Sequence, residues 1–263
     1  MVKAANSQMG GVNLLIVKKS LLTIMGIIIY IFAVNGTFLL ERSFPDIAPS
    51  LIRIIMAGTI GIILLLTKIM PVEQLKGIGN KSFKIYMYPI IFSCLYLITF
   101  IFIYVIKFGK QHFQLNTNLI FSTLLLLVAI SLFEEVIARA FFVNYMSKII
   151  KSTKKVIAII CGVVFGIVHY FNYGILNIDS ISQCITATCI GVFLCAIFIR
   201  ENRIFPVVIA HTIINLPAAM VSLIYNMDIV SQNYEAIWFL PLIIIAISIP
   251  FLPLGLKLLS KPS

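Results

Sequence analysis

Six side chains in this sequence could do chemistry together: Glu134, Glu135, Arg139, His169, His211 and Asn215. The first three lie in a run from Leu119 to Phe142 that carries no other charge. A charge at the centre of a membrane-spanning helix costs about 2.5–3.5 kcal/mol on insertion scales, so three within one and a half turns demand a reason. The set holds carboxylates and imidazoles. No serine or cysteine lies one turn from either histidine on the same face with a base beside it, which argues against a nucleophile triad. Amide hydrolysis by direct attack of water needs only a carboxylate base and a donor pair for the oxyanion. Two adjacent carboxylates in a low dielectric cannot easily both ionise, and Arg139, one turn from Glu135, favours the charge there. Glu134 is therefore the expected base.

Helical spacing must bring these groups together. Ser131, Glu134, Glu135 and Ala138 follow the i, i+3, i+4, i+7 rule and share a face. Gly162, Phe165, Gly166 and His169 do the same, and Gly162 with Gly166 forms a small-xxx-small surface that admits a neighbouring helix. His211, Asn215, Ala218 and Ser222 line a third face. At about 1.5 Å per residue, Glu134 lies about 18 Å, His169 about 20 Å and His211 about 10 Å from the expected inner ends of their helices, which is consistent with one cavity open to the inside. Pro217 should bend the third of these helices just beyond Asn215.

The whole chain supplies the scaffold. Of its 263 residues 61% are apolar and 11% charged, and the mean hydropathy is +1.09, against about 25% charged residues in a soluble domain. The expected class is all-α, a polytopic membrane protein with about eight spans: Leu21–Leu40, Leu51–Met70, Ile85–Ile106, Asn118–Met146, Val156–Tyr170, Ile181–Ile199, Ile204–Tyr225 and Ala236–Leu256. Residues 1–263 read as a single integral membrane domain, with residues 119–222 as the motif-bearing core. The first run is too long for a cleaved signal peptide and reads as a retained helix, with Val12–Val17 lying along the inner surface. Pro241, Pro250 and Pro253 should make the last helix irregular.

Fifteen of the twenty basic residues fall on one side if the amino terminus is cytoplasmic, among them Lys18, Lys19, Lys148, Lys154, Lys155, Arg200 and Arg203. Arg42, Arg53, Lys107 and Lys110 fall outside, and the loops near Asp179 and Asp228 have no basic residue. The positive-inside rule then puts a multi-pass protein in the cell membrane with both termini cytoplasmic. The net charge of +11 is spread over five loops, which points to anionic lipid heads and not to nucleic acid. Cys94, Cys161, Cys184, Cys189 and Cys195 lie in apolar runs without CxxC spacing and read as small core residues. His112, beside Lys110, reads as solvated and inert.

The charged and polar positions also carry a resemblance. Glu134 to Arg139 matches EExxxR, Phe165 to His169 matches FxxxH, and His211 to Asn215 matches HxxxN. In this order, on successive helices, they resemble the CPBP family of CAAX prenyl endoproteases and bacteriocin-processing or immunity proteins, also called Abi. The resemblance implies an eight-helix CAAX-protease-like bundle acting as an intramembrane endopeptidase on a peptide or prenylated-protein substrate. It implies that Glu134 and His169 activate water, that His211 and Asn215 stabilise the oxyanion, and that Glu135 and Arg139 support the site. Many relatives carry Phe-Arg-Gly after the paired glutamates, where this chain has Ala138-Arg139-Ala140. A zinc ion held by Glu134, His169 and His211 is chemically open, although no HExxH occurs; the favoured expectation has no metal and no other cofactor. The alternative is a non-catalytic immunity or scaffold protein on the same fold. Proton-coupled transport ranks behind both, because the motif-bearing half is not repeated. The sequence specifies neither the oligomeric state nor the cleaved bond.

Overall fold

The computed structural model describes residues 2–44, 48–77, 83–109, 115, 117–170, 178–224 and 239–260. Those residues form helices and no strand: α1 (Val2–Ser43), α2 (Pro49–Leu66), α3 (Phe83–Phe108), α4 (Ile120–Glu135), α5 (Asn144–Ile149), α6 (Lys154–Tyr170), α7 (Ile178–Glu201), α8 (Phe205–Ile224), α9 (Leu240–Ser248) and α10 (Phe251–Leu258). Between α4 and α5 the chain makes a π-helical stretch, Val136–Val143, and a 3-10 turn, Val72–Leu75, follows α2. The protein is an all-α, multi-pass membrane protein. Six described segments are long and apolar enough to cross a membrane: Lys19–Ser43, Pro49–Leu66, Ile85–Ile106, Thr117–Ile149, Ile178–Glu201 and Leu240–Leu258. The helices expected around Val156–Tyr170 and Ile204–Tyr225 are shorter, 17 residues for α6 and an apolar stretch of Phe205–Val221 in α8.

Burial explains the architecture. From Cys189 to Phe198 every residue of α7 is buried, so this helix is apolar all round and forms the centre of the bundle. α6 packs along it through glycines. A Cβ on Gly162 would fall 2.5 Å from Val192 Cγ2, and one on Gly166 would fall 2.5 Å from the Cys184 carbonyl oxygen. The small-residue surface thus seats α6 against α7. The outer surface carries large apolar side chains such as Phe32, Leu66, Phe102 and Phe121, which suits contact with lipid tails.

Four details add to or differ from the sequence expectations. The backbone of α1 is helical through Val12–Val17 without a break, so that stretch is not a separate surface helix. α8 remains helical across Pro217. A proline there removes the hydrogen bond to the carbonyl four residues back, and Ser93 Oγ of α3 donates to that Ile213 oxygen instead, at 2.5 Å. Arg53 is not a loop charge: it sits buried in α2, with Nε 2.6 Å from Glu41 Oε1. Gln74, within the polar connection after α2, is buried and exchanges amide hydrogen bonds with Asn144 while donating to Asn202 at 2.8 Å. The break expected in the last helix falls at Ile249 and Pro250, between α9 and α10. His112, the loop around Asp228 and the side chain of Ser222 lie outside the described residues.

Candidate active site

Glu134 and Glu135 are the last two residues of α4, immediately before the π-helical stretch. A π-turn widens the helix by one residue and is frequent at functional sites. All eight of its residues, Arg139 included, are buried.

The two glutamates have different surroundings. Glu135 is fully buried, with Oε2 3.1 Å from Arg139 Nε and Oε1 2.7 Å from His211 Nδ1. The Arg139 contact is a close charge pair without aligned hydrogen-bond geometry, and the guanidinium Nη atoms make no hydrogen bond. Their positive charge lies instead over the Phe165 ring, 4.8 Å from Cζ to its centroid. Glu134 has 18% of its side chain exposed, and its Oε2 lies 3.7 Å from both His169 Nε2 and His211 Nε2.

Hydrogen-bond partners fix the imidazole tautomers. His169 Nδ1 lies 2.8 Å from the Phe165 carbonyl oxygen, which can only accept, so Nδ1 is the donor. His211 Nδ1 likewise donates to the Glu135 carboxylate. Each ring therefore turns Nε2 towards Glu134, and when neutral presents a lone pair there. With both rings neutral three acceptors converge on one small volume; with His211 protonated its Nε2 is a donor beside the other two. A water molecule there can give its two hydrogens to two of them and keep an oxygen lone pair for attack. Among the described residues no group of three or more His, Cys, Asp or Glu side chains is arranged to hold a metal ion.

A cavity of about 370 Å³ opens beside this cluster, walled by Glu134, Phe165, His169, His211 and Asn215 with Gln183 and Thr186 of α7. It reaches Asp179 in the first turn of α7 and Pro241 at the start of α9. Arg200 and Lys257 occupy the opposite ends, in the last turns of α7 and α10. Of the six residues picked out by type and spacing, four line the cavity, while Glu135 and Arg139 stand sealed behind them. Ser131 is fully buried and Ala218 lines the wall. Sequence spacing missed the His211–Glu135 hydrogen bond, the Phe165–Arg139 contact and the polar wall of α7. Only the i, i+3, i+4, i+7 placement of Asp179, Ser182, Gln183 and Thr186 signalled that wall.

Fold and site together define a polytopic membrane protein with a carboxylate–imidazole centre at a cavity within its helices. Residues 116–217, which carry every member of that centre, match the family model described as type II CAAX prenyl endopeptidase Rce1-like. Over that stretch the chain is similar to the CPBP/CAAX protease family. A search of curated proteins finds no match to the chain.

Proposed function

We propose that the protein is an intramembrane endopeptidase that hydrolyses a peptide bond in a peptide or lipidated-protein substrate by a glutamate-activated water mechanism. The observation that carries the reading is the position of Glu134 Oε2, 3.7 Å from two imidazole Nε2 atoms at the wall of the large cavity. A water held between Glu134 and His169 gives a proton to Glu134 as its oxygen bonds to the substrate carbonyl carbon. Negative charge develops on the carbonyl oxygen, and His211 and the Asn215 amide are the donors available for it. His211 suits that role because Glu135 on its Nδ1 compensates an imidazolium, whereas His169 has only a carbonyl on its Nδ1. Glu134 then passes its proton to the leaving nitrogen as the C–N bond breaks, which yields a carboxylic acid and an amine.

Gln183 and Thr186, along the opposite wall, offer donors and acceptors to an extended substrate backbone. With both termini cytoplasmic, as the basic residues favour, the Asp179 end of the cavity faces away from the cytoplasm. That reverses the side inferred from helix depth alone. What supports the revision is that the lining includes the starts of α7 and α9 and no residue from the basic ends of α7 and α10.

The test is hydrolysis of a library of internally quenched farnesylated peptides by full-length protein in lipid nanodiscs. Glu134→Gln should lower kcat by about a thousandfold, within the range for loss of a general base. Wild-type rates in a folded Glu134→Gln protein would end the proposal.

A further inference from the structure

Glu134 and His169 line a second cavity. It shares those two residues with the large cavity and is otherwise bounded by Tyr30, Val34 and Thr37 of α1, Arg53 of α2, Phe133 of α4 and Val168 of α6. Its volume is about 20 Å³. A site needs about 10–15 Å³ and two to four polar partners to hold one water. Both conditions are met, because Tyr30, Thr37, Arg53, Glu134 and His169 bring polar groups to a space with room for a single molecule.

Tyr30 and Thr37 form its buried wall. Tyr30 is 2% and Thr37 1% exposed, and the Tyr30 ring packs 5.7 Å from that of Phe142. Thr37 donates its hydroxyl proton to the Ala33 carbonyl at 3.0 Å, which leaves the oxygen lone pairs as acceptors. Arg53 grips Glu41 through Nε and Nη2 at 2.6 and 3.1 Å, so α1 and α2 are fastened together beside the cavity. An ion pair and two hydroxyl side chains beside the site have no part in the reaction as derived above. They do suit a hydration site.

We infer that this cavity is the water port of the active site: a water lodged among Tyr30, Thr37 and Arg53 moves past Glu134 and His169 to become the nucleophile. Substrate then fills the large cavity without displacing the water it is to react with. The inference rests on the endopeptidase reading. Thr37 and Tyr30 are its water-binding residues, and the Arg53–Glu41 pair fastens α1 to α2 beside it.

The experiment is radiolytic hydroxyl-radical footprinting of the full-length protein in nanodiscs, together with kinetics on the same quenched farnesylated peptides. Tyr30 should be labelled despite its burial, because a bound water generates the radical beside it. Thr37→Leu, which fills the cavity and removes the hydroxyl, should abolish that label and lower kcat about tenfold, the effect of roughly 1.4 kcal/mol on the barrier, with KM within about twofold of wild type. Thr37→Ser should recover most of the lost rate. Val34→Ile, which adds one carbon to the same wall, gives the weaker form of both effects if Thr37→Leu fails to fold. An unlabelled Tyr30, or lost labelling with kcat unchanged, overturns the inference. A labelled Tyr30 in a wild-type protein that cuts no peptide would instead remove the endopeptidase reading and leave the hydration site standing.

Discussion

His211 donates through Nδ1 to Oε1 of Glu135 at 2.7 Å, and the same carboxylate places Oε2 3.1 Å from Arg139. One buried glutamate thus serves two cationic or potentially cationic partners, neither of which is exposed by more than 4% of its side chain.

Removing that shared partner strands both. Glu135→Ala leaves a guanidinium buried without its counter-ion, which typically costs about 3–5 kcal/mol. We expect a large drop in the apparent melting temperature of the detergent-solubilised protein. The double variant Glu135→Ala/Arg139→Met should recover part of it. A Glu135→Ala protein as stable as wild type would show that the pair holds nothing together.

Ser93 and Pro217 form a coupled pair through a third residue, since the hydroxyl serves the Ile213 carbonyl that the proline leaves without a helical partner. Ser93→Ala should destabilise the protein by about 1–3 kcal/mol, the cost of an unsatisfied buried polar group. Pro217→Ala restores a backbone donor to that carbonyl, so the second substitution should cost less in the Ser93→Ala background than alone. Additive losses across the cycle would contradict the coupling.

The contact of α6 with α7 sets the position of His169. Gly166→Ala puts a methyl group against the Cys184 carbonyl, and overpacking of this kind costs about 1–3 kcal/mol. Activity on the quenched peptides should fall further than stability, because His169 lies three residues on. Equal activity at reduced melting temperature would separate α6 packing from the site.

The proton-only mechanism predicts indifference to chelators. Millimolar EDTA or 1,10-phenanthroline should leave the rate on the quenched peptides unchanged, and added zinc should not raise it. Loss of activity restored by zinc would replace that mechanism with a metal-dependent one.

The sequence held more of the site than of the scaffold. Glu134, His169, His211 and Asn215 share faces at helical spacing, and each is a polar exception in an apolar run, so period and inventory together were enough to bring them to one cavity. Periodicity could not anticipate the π-helical stretch. Its residues, Val136–Val143, have ordinary helical composition, and all eight are buried, Arg139 included. Nor could it anticipate Arg53 in contact with Glu41, because the pair joins α1 to α2 and hydropathy alone assigns such charges to solvent. Gln74 was invisible for a similar reason: its partners Asn144 and Asn202 are 70 and 128 residues away, and a short polar connection gives no sign of being buried.

The π-helical stretch also makes the chain's numbering a mechanical constraint. Winding Val136–Val143 as an ordinary helix at the same residue count would turn everything after it, because an α-helix advances about 100° per residue and the wider π-turns advance less. Glu134 and Glu135 would stay where α4 holds them, but the amide exchange between Asn144 and Gln74 would lose its alignment. The residue count between the glutamates and Asn144 is therefore a spacer: it phases the active-site end of the rod against the end clamped to the rest of the bundle.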